Sequence, residues 1–169
     1  LKETGNILLV IGKTEGHLDQ SLFSREILNE KNGPPPEINL FNEKNNGETI
    51  LKLIDKKFIK SAHDVSLGGI ITALSKMCIK GKIGATLNKS NYLINQFEYL
   101  FGEDQGRYII EIEKVNYIDV AEILEKNSVH YDELATVNKN ELIIDNKTKV
   151  TIDDLIKSHT TWLTNYMSK

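Results

Sequence analysis

The sequence predicts an α/β domain of the α+β type, in which helices are layered on a mixed β-sheet. Segments typical of strands and helices interleave along the 169 residues, but not in the strict strand-helix-strand order of a doubly wound parallel sheet. With 40% hydrophobic residues, a chain of this length can bury about 70% of its unfolded surface. We expect residues 1–169 to form one domain, and the start at Leu1 rather than methionine favours a carboxy-terminal fragment of a larger synthase.

The first half of the chain begins with a predicted strand at Asn6–Gly12, which is apolar on both faces, as in a sheet covered by helices. Apolar spacing from Ser21 predicts a helix that ends before the prolines at 34–36, because proline lacks an amide donor. The elements predicted next are a helix over Leu40–Lys57, a strand over Phe58–Val65, a helix from Gly68-Gly69 that Gly81 closes, and a strand over Ile83–Leu87, with Gly84 at a close approach.

The second half continues the alternation with shorter elements. A last helix is predicted to begin after Thr151, because Asp154 follows at the spacing of a capping box. Its apolar face is predicted to include Leu163, with Trp162 and Tyr166 extending it. The other predicted elements are a helix over Leu93–Phe101, a strand over Arg107–Ile112, a helix over Val115–Lys126, and short strands near Leu134–Val137, Leu142–Ile144 and Lys149–Ile152.

Composition excludes several classes of partner. The formal net charge is −3 and the lysines are scattered, which disfavours nucleic-acid binding. No apolar run approaches the roughly 20 residues of a membrane span. The single cysteine, Cys78, cannot form an internal disulfide, and its apolar helical surroundings predict a buried thiol in a reducing compartment. We therefore expect a cytoplasmic protein that binds neither nucleic acid nor membrane.

The first candidate site lies where a predicted strand ends and a helix begins. His63, Asp64 and Ser66 precede Gly68-Gly69 there. Free amides at the amino end of a helix carry partial positive charge, and paired glycines let a phosphate approach the backbone. Two alternatives stay open. Asp64 and Ser66 can form an ordinary helix cap. His63 can be structural, because neighbouring residues in a strand face opposite ways and Asp64 would not orient its ring.

The second candidate site is the polar segment 102–107. Glu103 and Asp104 offer the carboxylate oxygens that Mg²⁺ prefers, and the planar guanidinium of Arg107 suits a phosphate. An acidic turn with an ion pair to the arginine is the open alternative. A third segment, 12–21, lacks the GxxxxGK[ST] spacing of a phosphate loop and is weak evidence alone.

Taken in order, these segments resemble a known superfamily. The strings that carry the likeness are GHLDQS at 16–21, GPPP at 33–36, SAHDVSLGG at 61–69, KIGA at 82–85 and FGEDQGR at 101–107. Their order and separation are similar to those in the carboxy-terminal domain of the aminoimidazole ribonucleotide synthetase superfamily. Within it they look most like the second of two duplicated halves in the synthetase subunits of phosphoribosylformylglycinamidine synthase, the PurL-type family.

The resemblance implies the activity of a longer parent enzyme. Such ATP-dependent carbon-nitrogen ligases of purine biosynthesis phosphorylate the formyl-amide oxygen of formylglycinamide ribonucleotide, and ammonia from a glutaminase subunit displaces the phosphate. ATP and Mg²⁺ are held mainly by other domains of the polypeptide, and a small accessory subunit belongs to the complex. The resemblance therefore implies a domain that forms one wall of a cleft and is inactive alone.

The resemblance also implies roles for individual residues, none of them catalytic. Leu67, Asp19 and Gly106 depart from the usual pattern, and the second-half pocket of the family is a pseudo-symmetric site without turnover. The residues implied in substrate or phosphate binding are Ser21, His63, Asp64, Ser66, Gly68, Gly69, Gln105 and Arg107. Glu103 stays the candidate metal ligand because of its carboxylate.

Two alternatives to this family stay open. One is another superfamily member, such as aminoimidazole ribonucleotide synthetase, selenophosphate synthetase or thiamine monophosphate kinase. The other is a stand-alone interaction module without enzyme activity. A duplicated parent of roughly 700 residues would favour the synthase, whereas a start codon beside Leu1 would favour the module.

Overall fold

A computed structural model describes residues 1–88, 94–145 and 148–168 of the chain. The strands are β1 (Ile7–Ile11), β2 (Ile59–Val65), β3 (Gly84–Leu87), β4 (Arg107–Ile112), β5 (Tyr131–Asn138), β6 (Glu141–Ile144) and β7 (Thr148–Thr151). The α-helices are α1 (Leu40–Asp55), α2 (Gly69–Gly81), α3 (Gln96–Phe101), α4 (Tyr117–Lys126) and α5 (Ile152–Met167).

The strands form one seven-stranded sheet in the order β2-β4-β1-β5-β3-β6-β7. The pair β3 and β6 is parallel, and the other described pairs are antiparallel. This arrangement confirms the predicted mixed sheet of an α+β domain.

The strand β1 lies near the middle of the sheet and is buried on both faces. Leu8 and Val10 point into one hydrophobic core, whereas Ile7, Leu9 and Ile11 point into the other. Each fully buried aliphatic side chain of this size contributes about 1.5–3 kcal/mol. The continuous apolar run therefore holds the two layers of helices to a common sheet.

Helices cover both faces of the sheet, as the pattern of β1 predicts. On one face, α2 contributes most of the core, for example Ile70 and Leu74, and the first turn of α5 joins it through Ile152. On the other face, α1 packs through Leu53 and α4 packs through Leu124. Cys78 is buried in the first core, as predicted, and burial raises the pKa of its thiol to about 12.

Several predicted boundaries differ from the structure. The helix expected from Ser21 is only a short π-helical turn, Ser24–Leu28, since the apolar spacing there did not distinguish a single turn from a longer helix. The helix α2 does end at Gly81, as predicted, but the left-handed residue that follows it is Lys82, with a φ of 53°. Ile152 begins α5 rather than ending a strand. Leu93 lies outside the described residues.

The predicted cap of α5 is confirmed, because the Thr151 hydroxyl accepts from the Asp154 amide at 3.1 Å and donates to its carboxylate at 2.6 Å. Gly84 stands at the predicted close approach, where a Cβ would lie 2.2 Å from the Glu141 carbonyl oxygen. Among the described residues, no helix has the length and apolar character needed to cross a bilayer.

Candidate functional site

The two candidate segments, 61–70 and 102–107, lie against each other in the fold. The backbone N–H of Gly68 donates to Glu103 Oε1 at 2.8 Å. A Cβ added to Gly69 would lie 2.6 Å from the carbonyl oxygen of Leu100 and 2.7 Å from that of Gly102. The turn before α2 and the segment before β4 therefore form one candidate site.

Both glycines of this turn adopt the left-handed backbone conformation, with φ of +82° at Gly68 and +68° at Gly69. Residues with a Cβ rarely adopt it, and glycine does so at little cost. The N–H of Gly69 donates to the carbonyl oxygen of Ser66 at 3.0 Å and closes the turn. The glycine pair is thus explained by backbone geometry and by the close contact with residues 100–102.

The carboxylate of Glu103 holds the glycine turn from the other side. Its Oε1 accepts from the backbone N–H of Leu22 at 2.7 Å as well as from that of Gly68. The Gly68 amide therefore donates to a carboxylate of the chain itself. From the sequence, this turn was predicted to bind an external phosphate. In this structure Glu103 connects the glycine turn to the start of the π-helical turn.

Asp104 fills a second cluster of backbone amides. One of its oxygens accepts from the N–H groups of Glu15 and Gly16, at 3.2 and 3.0 Å, and the other accepts from that of His17 at 3.1 Å. Successive amides arranged in this way form an anion-binding concavity. Here the anion is an internal carboxylate, which fixes the loop 12–21 against the segment 102–107.

The guanidinium of Arg107 is fully buried behind these carboxylates. It donates to the carbonyl oxygens of Asp104 and Gly102, at 3.2 and 2.7 Å, and to the Thr14 hydroxyl at 3.1 Å. Burial lowers the pKa of the guanidinium, and the carboxylate of Asp104, 3.4 Å away, opposes that shift. The fork therefore binds the loops of the chain itself and does not face solvent, and the expected contact with phosphate stays a prediction.

Ser21 is buried as well, and its role is local. Its hydroxyl accepts from the Ser24 amide at 3.1 Å. The neighbouring Gln20 side chain donates to the carbonyl oxygens of Lys31 and Gly33, at 3.0 and 3.1 Å. The third candidate segment is thus held to residues 31–33, which precede the prolines at 34–36, and the Ser21 hydroxyl is engaged within the chain itself.

The remaining predicted residues face outward. Ser66 and Gln105 are exposed. The Asp64 side chain is 68% exposed, and the Nδ1 atom of His63 lies 2.6 Å from the Asp64 carbonyl oxygen and 3.4 Å from its carboxylate. The two neighbours therefore approach each other although they alternate along β2. These four side chains form the outer rim of the site.

A polar cleft of about 600 Å³ adjoins the rim on the side of Gln105. Its walls include the loop 12–17, the prolines at 34–36 and the first half of α1. Asn46 on α1 contributes a buried amide that donates to the Gly106 carbonyl oxygen at 2.9 Å. The cleft therefore lies between the candidate site and the prolines at 34–36.

Comparison with known proteins decides the family. Residues 3–146 match the family model described as AIR synthase related protein, C-terminal domain. The chain belongs to this family. The match includes the glycine turn, the segment 102–107 and the loop 12–21, so every part of the candidate site lies within the family domain.

The curated relatives are much longer than this chain. The phosphoribosylformylglycinamidine synthase subunit PurL of Pelagibacter ubique (strain HTCC1062) is 84% identical over 167 residues, which cover 99% of this chain and 23% of the relative. The subunit of the same name from Bartonella henselae is 35% identical over 167 residues, again 99% of this chain and 23% of the relative. The chain thus spans less than a quarter of these relatives.

Two solved structures share the fold of this chain. Thermotoga maritima PurL complexed with FGAR matches with a TM-score of 0.75 and 20% identity, over 92% of this chain and 28% of that one. Escherichia coli HypE, a hydrogenase maturation protein, matches with a TM-score of 0.62 and 19% identity, over 88% of this chain and 49% of that one. At these identities the likeness shows the fold alone.

The carboxylates of Glu103 and Asp104 do not fit the Mg²⁺ ion that their residue types suggested in the sequence. Amide hydrogens point at Glu103 Oε1 and at both oxygens of Asp104, and Arg107 lies beside Asp104. Groups that attract an anion repel a cation at the same place. In the part of the chain that the structure describes, no group of three or more His, Cys, Asp or Glu side chains is placed to hold a metal.

Sequence reasoning missed the structural roles of three residues. Asp104 was considered as a cation ligand or as the partner of the arginine, and the ion pair is present, but its bonds to three backbone amides were not expected. Thr14 and Asn46 were not singled out at all. A polar residue on the buried side of a helix, such as Asn46, is the one signal that could have indicated a partner. The contact partners themselves come from distant parts of the chain.

Proposed function

We propose that the chain is one domain of the synthetase subunit of phosphoribosylformylglycinamidine synthase. With ATP and ammonia derived from glutamine, that enzyme converts formylglycinamide ribonucleotide to formylglycinamidine ribonucleotide. The observation that carries the proposal is the 84% identity to a PurL subunit over 167 residues. The order of the motifs in the sequence supports it independently.

In this proposal residues 1–169 form a single domain of a longer cytoplasmic polypeptide. ATP and Mg²⁺ bind mainly to its other domains, and the complex includes a glutaminase subunit and a small accessory subunit. The lack of fit between Mg²⁺ and the amide-bound carboxylates Glu103 and Asp104 supports this division. The 169-residue chain alone is then inactive.

Within the domain, the candidate site has a rigid inner part and an outer rim. Glu103 and Arg107 bind backbone groups, so they position the loops rather than the ligand. Ser66 and Gln105 are exposed beside them, with free side chains of the kind that bind phosphate and carbonyl oxygens. We infer that the rim, with His63 and Asp64, contacts an anionic ligand held mainly by the neighbouring domains.

The parent activity is tested with the full-length subunit, the glutaminase subunit and the accessory subunit. Release of ADP should require both formylglycinamide ribonucleotide and glutamine, and it should be absent when the 169-residue chain replaces the full-length subunit. The proposal is rejected if the complete complex releases no ADP with this substrate, or if the short chain alone turns over.

The role of the rim is tested by Ser66→Ala in the same complex. Loss of one hydrogen bond to a charged ligand, about 1.5–3 kcal/mol, should raise KM at least tenfold while the unfolding midpoint stays unchanged. Ser158→Ala, the same change at an exposed position on α5, is the matched control. Equal KM values for the two variants would remove Ser66 from the ligand contacts without affecting the parent activity.

A further inference from the structure

The last helix, α5, has an apolar stripe that runs beyond the part covered by the domain. Ile152 in its first turn is 5% exposed, and Leu155 and Ile156 pack partly buried against the same core. From Lys157 to Ser168 every residue is exposed. The helix therefore leaves the surface of the domain after about one and a half turns.

Large apolar side chains continue along the exposed part. Trp162 is 64% exposed, Leu163 58%, Tyr166 63% and Met167 75%. At the α-helical repeat, these four and the three covered residues of the first turns lie within an arc of roughly 140°. The rings of Trp162 and Tyr166 stack with centroids 5.4 Å apart.

The opposite side of α5 is polar throughout. It carries Asp153, Asp154, Lys157, Thr161 and Asn165. A helix that is apolar on one face only is typical of a helix that packs on a surface along its whole length. Single exposed apolar residues are ordinary, but a face with four exposed large apolar side chains, interrupted within its arc only by His159, marks an interaction site.

Charge excludes a membrane as the occupant of this face. Helices that lie on anionic bilayers carry several lysines or arginines on their polar side. The described part of α5 has one, Lys157, against Asp153 and Asp154. The face is therefore suited to a protein surface.

The size of the stripe favours a partner within the same polypeptide. A full aromatic side chain covers roughly 150–250 Å², so four side chains exposed to this extent offer on the order of 500 Å². A stable contact between separate molecules needs about 800 Å² from each partner. A domain joined by the chain needs less, because its effective concentration is on the order of millimolar.

The comparisons point in the same direction. The family domain ends at residue 146, before α5, whereas the PurL relatives match over 167 residues and are more than four times as long. We propose that the exposed stripe, formed by Trp162, Leu163, Tyr166 and Met167, docks on an apolar surface of another domain of the longer polypeptide. This inference rests on the proposed function in one respect: the longer polypeptide must exist.

Hydrogen exchange in the full-length subunit tests the docking. Amides of residues 158–167 should exchange at least tenfold more slowly in the full-length subunit than in the 169-residue chain. Leu163→Asp should abolish that difference, because it places a charge in the middle of the stripe. Thr161→Asp, with the same charge on the polar side of the same helix, should preserve it.

Three outcomes would overturn the proposal. The first is equally fast exchange in the full-length subunit and the short chain. The second is equal loss of protection in both variants, which would show a general effect on the helix. The third is protection that rises with protein concentration, which would identify a second copy as the occupant. Release of ADP is measured separately, so failure of docking and failure of the proposed function are distinguishable.

Discussion

The replacement Arg107→Lys tests whether the buried guanidinium organises the candidate site. Lysine keeps the positive charge but has one compact donor group in place of a planar fork. Arg107 binds three acceptors in different directions: the carbonyl oxygens of Gly102 and Asp104 and the hydroxyl of Thr14. A lysine ammonium at this position can reach one of them without rearrangement of the loops.

The expected loss of stability follows from the two acceptors that a lysine at position 107 would leave without a hydrogen bond. A hydrogen bond to a charged group contributes about 1.5–3 kcal/mol, and the ammonium can recover part of that by moving. We expect the free energy of unfolding to fall by about 3 kcal/mol, since breaking a buried charge interaction costs about 3–5 kcal/mol. With a urea m-value of about 2 kcal/mol/M, the midpoint should fall by about 1.5 M.

The assay is urea unfolding of the 169-residue chain followed by circular dichroism. Arg25→Lys is the matched control, because Arg25 is the other arginine of the chain and its buried Nε has no hydrogen-bond partner. We expect it to change the free energy of unfolding by less than about 0.5 kcal/mol. If both variants unfold at the same urea concentration, Arg107 does not hold the loops together.

Three further predictions concern other parts of the fold. Burial opposes ionisation of Glu111, but hydrogen bonds from Ser61, Asn6 and two backbone amides outweigh it and lower its pKa. Its stabilising effect should be complete above the ordinary value of 4.5 and disappear as pH falls through the lowered pKa, so Glu111→Gln should cost about 2 kcal/mol at pH 7 and little at pH 2 in urea titrations. Gly69→Ala should cost more than about 3 kcal/mol in the same assay, because a left-handed Cβ there also meets backbone oxygens. Cys78, buried and with a pKa of about 12, should react with a thiol reagent at pH 8 only after unfolding.

Each of these predictions has its own contrary result. A difference between Glu111→Gln and the parent that is the same at pH 2 and pH 7 would show that ionisation is irrelevant. Gly5→Ala controls for backbone strain, because Gly5 has a φ of +92° and no atom within 4 Å of an added Cβ; equal losses at Gly5 and Gly69 would exclude the contact. Rapid labelling of the native protein would show that the Cys78 thiol is accessible.

The sheet could be predicted from the sequence where burial leaves a direct pattern. The strand β1 is covered on both faces, so its apolar residues form a continuous run with clear ends, and the alternating pattern of Arg107–Ile112 indicated β4. The start of α5 was predictable because Thr151 and Asp154 satisfy each other locally. The π-helical turn at Ser24–Leu28 was not, since apolar spacing over a short segment does not distinguish a π-helical turn from an α-helix.

The candidate site was predictable only in part. The motifs at 61–69 and 101–107 identified the segments, and the structure places them together. Which donor meets which acceptor depends on the packing of residues far apart in sequence, such as Glu103 with Leu22 and Asp104 with Gly16. The sequence therefore identified Glu103, Asp104 and Arg107 as polar residues of one site, but not the internal contacts that they make.

The internal pairing of Glu103 limits what the glycine turn can bind. Its carboxylate accepts from two backbone amides, and such charged hydrogen bonds are each worth about 1.5–3 kcal/mol. A phosphate that displaced it would gain similar bonds and leave the carboxylate to find others, so the exchange would be nearly neutral. Under the proposed function, affinity for an anion therefore comes from groups that are not already paired: Ser66 and Gln105 on the rim, and residues of the other domains. A domain that forms one wall of a cleft shared with other domains, as proposed above, would meet this requirement.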